Sequence, residues 1–250
     1  MSDEKDLLGS LKRSFNYCNY RSRCEVLGGC LVEAMSDIPS PATLLDVGCG
    51  EGMERSPEIL ASLRAKAGRY WGVEPDPSAE VPQAAFDSVW RSTLEDSGIP
   101  GQSVDLAYSC MVAEHIQDPL SFARRLHDIL KPGGQFFMLT INGRSYLGRL
   151  ARWANRLRVQ EALLRLAVGR ADVERYHYPA FYRFNTERQI RPVAEAAGFA
   201  KAEFIYLERG EATGYYWPSQ LRWIGRTIDW KHRVLGQSDR FNNLLAVLTK

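Results

Sequence analysis

The nine residues LLDVGCGEG, Leu44 to Gly52, decide the fold. Thr43, Leu44, Leu45 and Val47 form a short apolar run between Pro41 and a cluster of glycines, the pattern of a strand buried on both faces. Gly48, Gly50 and Gly52 permit positive φ and let a ligand approach the backbone without meeting a Cβ. A buried strand that carries a carboxylate, Asp46, and then turns on glycine reads as a nucleotide-type pocket. The turn is not the GxxxxGK[ST] of a phosphate-gripping loop. Nor does GCGEG match GxGxxG, and Asp46 and Glu51 would bring anions toward a pyrophosphate. A carboxylate beside the turn better suits a ligand that carries positive charge.

Outward from this turn, strand-like and helix-like segments alternate. TLLDVG is followed by a helix over about Pro57–Ala67, then by the strand-like YWGVEPD, AAFDSVWRS and VDLAYSCMV. The helix DPLSFARRLHDIL is stopped by KPGG, and QFFMLTI is a fifth strand. Short turns between such units mean parallel βαβ crossovers and a doubly wound α/β sheet. Residues 1–40 read as an N-terminal helical arm, with Val26, Leu27, Cys30, Leu31, Ala34 and Met35 at helical spacing. The remainder, 41–250, reads as one domain carrying a helical and aromatic cap inserted at about 143–184. Beyond the cap, TERQIRPVAEAAGF predicts a helix stopped at Gly198, and KAEFIYLE and NNLLAVLTK predict closing strands.

Composition narrows the function classes. With 45% hydrophobic and 25% charged residues, the 250-residue chain has an ordinary globular make-up. A net charge of +2 gives no global attraction to nucleic acid, and no RNA-binding module is recognisable, so no nucleic acid partner is expected. No apolar stretch nears the roughly 20 residues of a bilayer span. The polar, acidic start MSDEKDLLGS lacks signal-peptide character, so a cytoplasmic location is expected. Five cysteines without a CxxC pair argue for free thiols rather than a zinc or disulfide framework.

Glu74 closes WGVE about 20 residues after the glycines, where an acid in this architecture meets ribose hydroxyls. With Glu74 placed, LLDVGCGEG, GVEPD, VDLAYSCMVAEHIQDP and LKPGGQFFMLT together resemble the successive motifs of class I S-adenosylmethionine-dependent methyltransferases. The resemblance covers about Thr43–Thr140. It implies a Rossmann-like, mostly parallel seven-stranded sheet with an antiparallel C-terminal strand, and S-adenosyl-L-methionine as cofactor. It further implies that Asp46, Gly48, Cys49 and Gly50 surround the cofactor's amino acid moiety and that Glu74 holds the ribose. Pro75 and Asp76 would flank the adenosine, Thr93 and Leu94 would edge the adenine, and Cys110 and Met111 would lie beside the methionyl part. Pro57 departs from the pattern by delaying the first helix, with Ser56 as its N-cap.

Methyl transfer from a sulfonium is an in-line displacement in which alignment supplies much of the acceleration. A base is needed only where the accepting atom holds a proton of high pKa. His115, in AEHIQDP after the fourth strand, is the candidate base, set against a purely structural role. His177 in RYHYPAFYRF is a weaker candidate, and Tyr178, Tyr182 and Arg183 beside it are candidate walls of an acceptor pocket. Adjacent Glu114 and His115 rarely reach one ion together, so no metal site is expected. Arg21, ahead of the first helix, is a candidate partner for the cofactor's carboxylate.

Residues 144–170 read as one or two helices with Leu147, Leu150, Leu157, Leu163, Leu164 and Ala167 on an apolar side, and they carry seven arginines against Glu161. That excess suits an anionic small-molecule acceptor, peripheral contact with an anionic membrane, or a solvated helix face. The leading expectation is O-methylation of a small metabolite, anionic or lipid-linked. An NAD(P)-dependent oxidoreductase on a similar sheet and a non-catalytic cofactor-binding protein are the alternatives. Oligomeric state is not legible in the sequence.

Overall fold

Parallel strands need a crossover between them, and the apolar runs of this chain are spaced by helices long enough to make one. A computed structural model describes residues 17–18, 23–53, 56–156, 178–209 and 222–250. Its strands are β1 (Tyr17–Cys18), β2 (Thr43–Val47), β3 (Arg69–Val73), β4 (Ser88–Trp90), β5 (Val104–Cys110), β6 (Leu130–Ile141), β7 (Lys201–Arg209) and β8 (Asn243–Thr249). Its α-helices are α1 (Arg23–Ser36), α2 (Pro57–Lys66), α3 (Pro119–Ile129), α4 (Tyr146–Arg156), α5 (Glu187–Ala197) and α6 (Arg222–Val234).

The strands lie in the order β1-β7-β8-β6-β5-β2-β3-β4. β8 alone runs against its neighbours, antiparallel to both β6 and β7. The seven expected strands are thus present with one antiparallel strand. An unexpected eighth, β1, runs parallel to β7 in the register Tyr17↔Glu208. Two residues pairing along an edge leave no periodic trace in sequence.

Alternation of side chains divides the core between the two faces. Leu44, Leu106, Tyr108 and Phe137 point to one face, where α1 and α2 cover them with Leu27, Leu31, Leu60 and Leu63. Leu45, Val47, Ala107 and Phe136 point to the other, beneath α3 and α5. Gly28 lets α1 lie close on α2, since a Cβ there would stand 2.7 Å from Ile59 Cγ2.

Local signals fix most element ends. Asp118 caps α3 by accepting from the backbone N–H of Leu120 and Ser121, with Pro119 in the first turn. Thr186 caps α5, and Gly198 ends it in the left-handed region at φ 94°. Ser56 does stand at the N-cap of α2, but its hydroxyl bonds Glu58 instead of the backbone. KPGG does not separate helix from strand as expected. β6 begins at Leu130, which pairs with Val104, and the register shifts before Leu106. Leu150, expected on an apolar side of the basic segment, is exposed on α4. The basic segment beyond residue 156, Arg21 and His177 lie outside the described residues. Among the described residues, no helix is long and apolar enough to cross a membrane.

Candidate active site

The chain leaves β2 toward β3 and β4 on one side, then returns to place β5 on the other. The crevice outside the carboxyl ends of β2 and β5 is therefore the topological switch point of the sheet, where ligands bind in open α/β folds. A cleft of about 210 Å³ opens there, between the turn Gly48–Met53 and Cys110, with Asp46 at its base.

Asp46 is buried, and strand register explains what it touches. It pairs with Tyr108 of β5 on one side and with Gly72 of β3 on the other. Tyr108 donates its hydroxyl proton to Asp46 Oδ2 at 2.5 Å, and Tyr70 Oη lies 2.5 Å from Tyr108 Oη. A hydroxyl has one proton, so Tyr108 must accept from Tyr70, and the chain is directed from Tyr70 through Tyr108 to Asp46. Both tyrosines are fully buried. Burial drives the Asp46 carboxyl up to about 7, the Tyr108 hydrogen bond pulls it down, and the Glu74 charge raises it. The group thus stands at the edge of ionisation near neutral pH, and a cation in the cleft would tip it to carboxylate.

Glu74 is also buried, and it organises the turn. Its Oε2 accepts from Gly50 N at 2.8 Å and its Oε1 from Asp76 N at 2.9 Å. Each oxygen keeps a further lone pair for a ligand hydroxyl. Gly48 and Cys49 both donate to Val73 O, which fastens the turn to β3. Gly48 sits at φ 76°, and a Cβ there would stand 2.5 Å from Val112 Cγ2. Only glycine satisfies both constraints. Burial, reinforced by Asp46 and Glu74, pushes the Cys49 thiol up and keeps it neutral. Cys110 Sγ lies 3.7 Å from Cys24 Sγ of α1, so the first helix touches the cleft wall.

The other residues named from sequence fall into distinct places. Asp76, following Pro75 at the rim, is held below the usual carboxylate range by hydrogen bonds from Tyr178 and Ser78. Thr93 and Leu94, like Glu74 and Asp76, lie outside the residues that line the 210 Å³ cleft. Thr93 Oγ1 donates to Asp96, and Leu94 is buried with Ile99 and Phe122. Met111 supplies a left-handed turn at φ 59° that brings Val112 against Gly48.

His115 ends a short helical turn after β5, with Nδ1 3.1 Å from Pro179 O. A carbonyl only accepts, so Nδ1 carries the proton in this bond, and in the neutral ring the lone pair is then on Nε2. Tyr178 stands edge-on to the His115 ring at 5.7 Å and donates to Asp76, bridging the loops after β5 and β3. Phe181 and Tyr182 donate backbone N–H groups to Glu114 O, while Arg183 donates to Gln117 O. Tyr182 is buried and Arg183 is committed to the loop, so of the three expected wall residues Tyr178 alone spans the mouth.

Four contributors carried no sequence signal. Tyr70 and Tyr108 read as ordinary strand aromatics until pairing sets them beside Asp46. Thr140 and Asn185 join Glu114 in a buried chain, Asn185 Nδ2 to Thr140 Oγ1 at 2.6 Å and Thr140 Oγ1 to Glu114 Oε2 at 3.1 Å. That chain ties the His115 loop to β6 and to the approach of α5.

Known proteins resemble this chain in sequence and in fold. A methyltransferase-domain family model matches residues 23–203. A ubiquinone biosynthesis O-methyltransferase of Ruegeria pomeroyi is 37% identical over 103 residues, 40% of this chain and 41% of that protein. One from a Methylobacterium species is 36% identical over 107 residues, with the same coverage. The chain thus spans about 41% of the length of these curated relatives. Among solved structures, an S-adenosylmethionine-dependent methyltransferase of Archaeoglobus fulgidus superposes with a TM-score of 0.56 at 13% identity, covering 92% of this chain and 96% of that one. Phosphoethanolamine N-methyltransferase 2 of Haemonchus contortus, solved with S-adenosyl-L-methionine, superposes with a TM-score of 0.53 at 16% identity, covering 90% of this chain and 52% of that one. With the family model spanning most of the chain on top of the switch-point cleft and its two carboxylates, this protein belongs to the class I S-adenosylmethionine-dependent methyltransferases.

Proposed function

We propose that the protein moves a methyl group from S-adenosylmethionine to a hydroxyl of a small-molecule acceptor. The observation that carries this reading is the pairing of Asp46 and Glu74 across one glycine turn. One carboxyl is poised to ionise beside a cation, and the other is spread to meet a diol. S-adenosylmethionine has an ammonium and a sulfonium at one end and ribose hydroxyls in the middle, which fits that pair. When bound, it supplies an electrophilic methyl on a cationic sulfur.

The protein's own residues then have three tasks. Asp46 holds positive charge at the base of the cleft, helped by Tyr108, which orients the carboxylate. Glu74 and the turn fix the nucleoside. His115 Nε2 would take the acceptor's hydroxyl proton, leaving the oxygen nucleophilic toward the methyl that the bound donor supplies. The bond to Pro179 O keeps the imidazole in the tautomer this requires. Tyr178 shields the mouth, where excluded water strengthens each electrostatic contact. The names of the two relatives, both O-methyltransferases, support oxygen as the accepting atom.

Calorimetry with S-adenosylmethionine and S-adenosylhomocysteine tests the cofactor, with binding expected for both. Incubation of the protein with methyl-labelled donor and a fractionated cell extract tests transfer, with label expected in a small organic product that releases labelled methyl iodide on ether cleavage by hydriodic acid. Absence of affinity for both nucleosides would overturn the reading. Label found only on nitrogen or carbon would overturn the oxygen assignment.

A further inference from the structure

Helices α4 and α6 turn the wrong residues outward. On α4, Tyr146, Arg149, Leu150 and Trp153 recur at helical spacing on the exposed face, with Trp153 58% exposed. On α6 the exposed stripe is Trp223, Arg226, Trp230, Lys231 and Val234, with Trp223 and Trp230 at 62% and 64%. A helix on a globular protein ordinarily buries such a stripe. The two stripes meet, because Lys231 Nζ donates to Tyr146 Oη at 3.2 Å and both residues are exposed.

Charge says what would cover this surface. Helix α4 has three arginines and no acid, while α6 has three arginines and a lysine against Asp229, in a chain whose net charge is only +2. Indole rings interleaved with cations on a helix face suit the boundary of an anionic bilayer, where the ring sits at headgroup depth and the cation meets phosphate. A protein partner of the same chemistry would have to be both acidic and apolar over this area. We infer that α4 and α6 together form a docking surface for an anionic phospholipid membrane.

The surface stands at the active-site end of the molecule. β6 runs parallel to β2 and ends at Ile141, five residues before α4 begins. α6 leads to β8, whose first residue, Asn243, pairs with that same Ile141. Docking therefore holds the carboxyl ends of the strands toward the interface. The inference does not depend on methyl transfer, since adsorption is measured without turnover.

Sedimentation with phosphatidylcholine vesicles containing about a quarter phosphatidylglycerol should pull the protein down, with a blue shift of tryptophan emission. Pure phosphatidylcholine vesicles should not, and about 0.5 M salt should release the bound protein. The paired variants Trp153→Ser with Trp230→Ser, and Arg149→Gln with Arg226→Gln, should each weaken vesicle binding about tenfold or more. An unchanged circular-dichroism melt shows that these surface variants fold. No binding to anionic vesicles, equal binding to neutral ones, or undiminished binding by both variants would overturn the inference. A concentration-dependent dimer that dissociates in the tryptophan variant would also overturn it, by assigning the surface to a second copy.

Discussion

The ends of β2 and β3 bury two carboxylates, whereas α4 and α6 expose three indoles. Each arrangement inverts the usual partition of polar and apolar groups, and each costs free energy in the isolated chain. At the strand ends the cost falls on Asp46, whose ionisation burial opposes. On the helices it falls on apolar surface left in water. The same remedy applies to both, a partner that the molecule lacks when alone. For the strand ends that partner is a cation, and for the helices an anionic interface. The two regions differ in rigidity of design: Asp46 is fixed by register and by a directed pair of tyrosines, while the indoles are held only by helical spacing.

The strongest way to break this comparison is to remove the buried charge. Asp46→Asn should lower affinity for S-adenosylmethionine by roughly 100-fold or more, read by calorimetry. The same substitution should stabilise the ligand-free protein at pH 8, by roughly 3 °C or more in melting temperature. The sign follows from the raised pKa. The folded state holds the Asp46 proton more tightly than the unfolded chain, so its stabilising contribution is full below about pH 4. That contribution fades as the pH climbs to about 7 and is absent beyond it. Cofactor affinity should show the mirror image, weakening by up to about tenfold per unit below pH 7 and levelling off above it. Loss of affinity with no gain in stability would place the cost elsewhere.

Removing the base should come next in size. His115→Gln should lower kcat about 100-fold at neutral pH while leaving cofactor affinity within about twofold, since the ring serves the acceptor. A variant that loses cofactor affinity instead would make His115 a structural residue of its loop. The smallest change is expected at the rim. Tyr178→Phe deletes the hydroxyl shared with Asp76 but keeps the edge-on contact with His115, and should raise the cofactor Kd about threefold.

The same contrast explains what could be read from the chain. The parallel sheet was legible because β2 and β5 each carry a short apolar run, Leu44–Leu45 and Leu106–Ala107, with Pro41 and Gly48 flanking the first and Pro100 and Gly101 preceding the second. Asp46 and Glu74 were legible because their offset from the glycines is set by strand length. Tyr70 and Tyr108 were not, because register is a property of two strands and neither strand alone reports it. Thr93 and Leu94 followed the family's outline, but their side chains serve a local turn and the core. The stripe on α4 has an ordinary amphipathic spacing, and periodicity alone does not say whether such a stripe faces the core or the solvent. Leu150 was therefore placed with the apolar side and is found in water. Tyr178 stood among aromatics that all looked alike, and only the fold separates it from buried Tyr182.

The position of β8 bears on how the molecule is made. Asn243–Thr249, the last strand in sequence, lies between β6 and β7, and β1 reaches the sheet only through β7. Until a ribosome has released that segment, β6 stays an open edge and β7 has no neighbour to join it to the rest. The sheet is therefore completed by the insertion of a central stave after both of its neighbours have been made, and a nascent chain stalled before residue 243 would present chaperones with an unsatisfied, strongly apolar border.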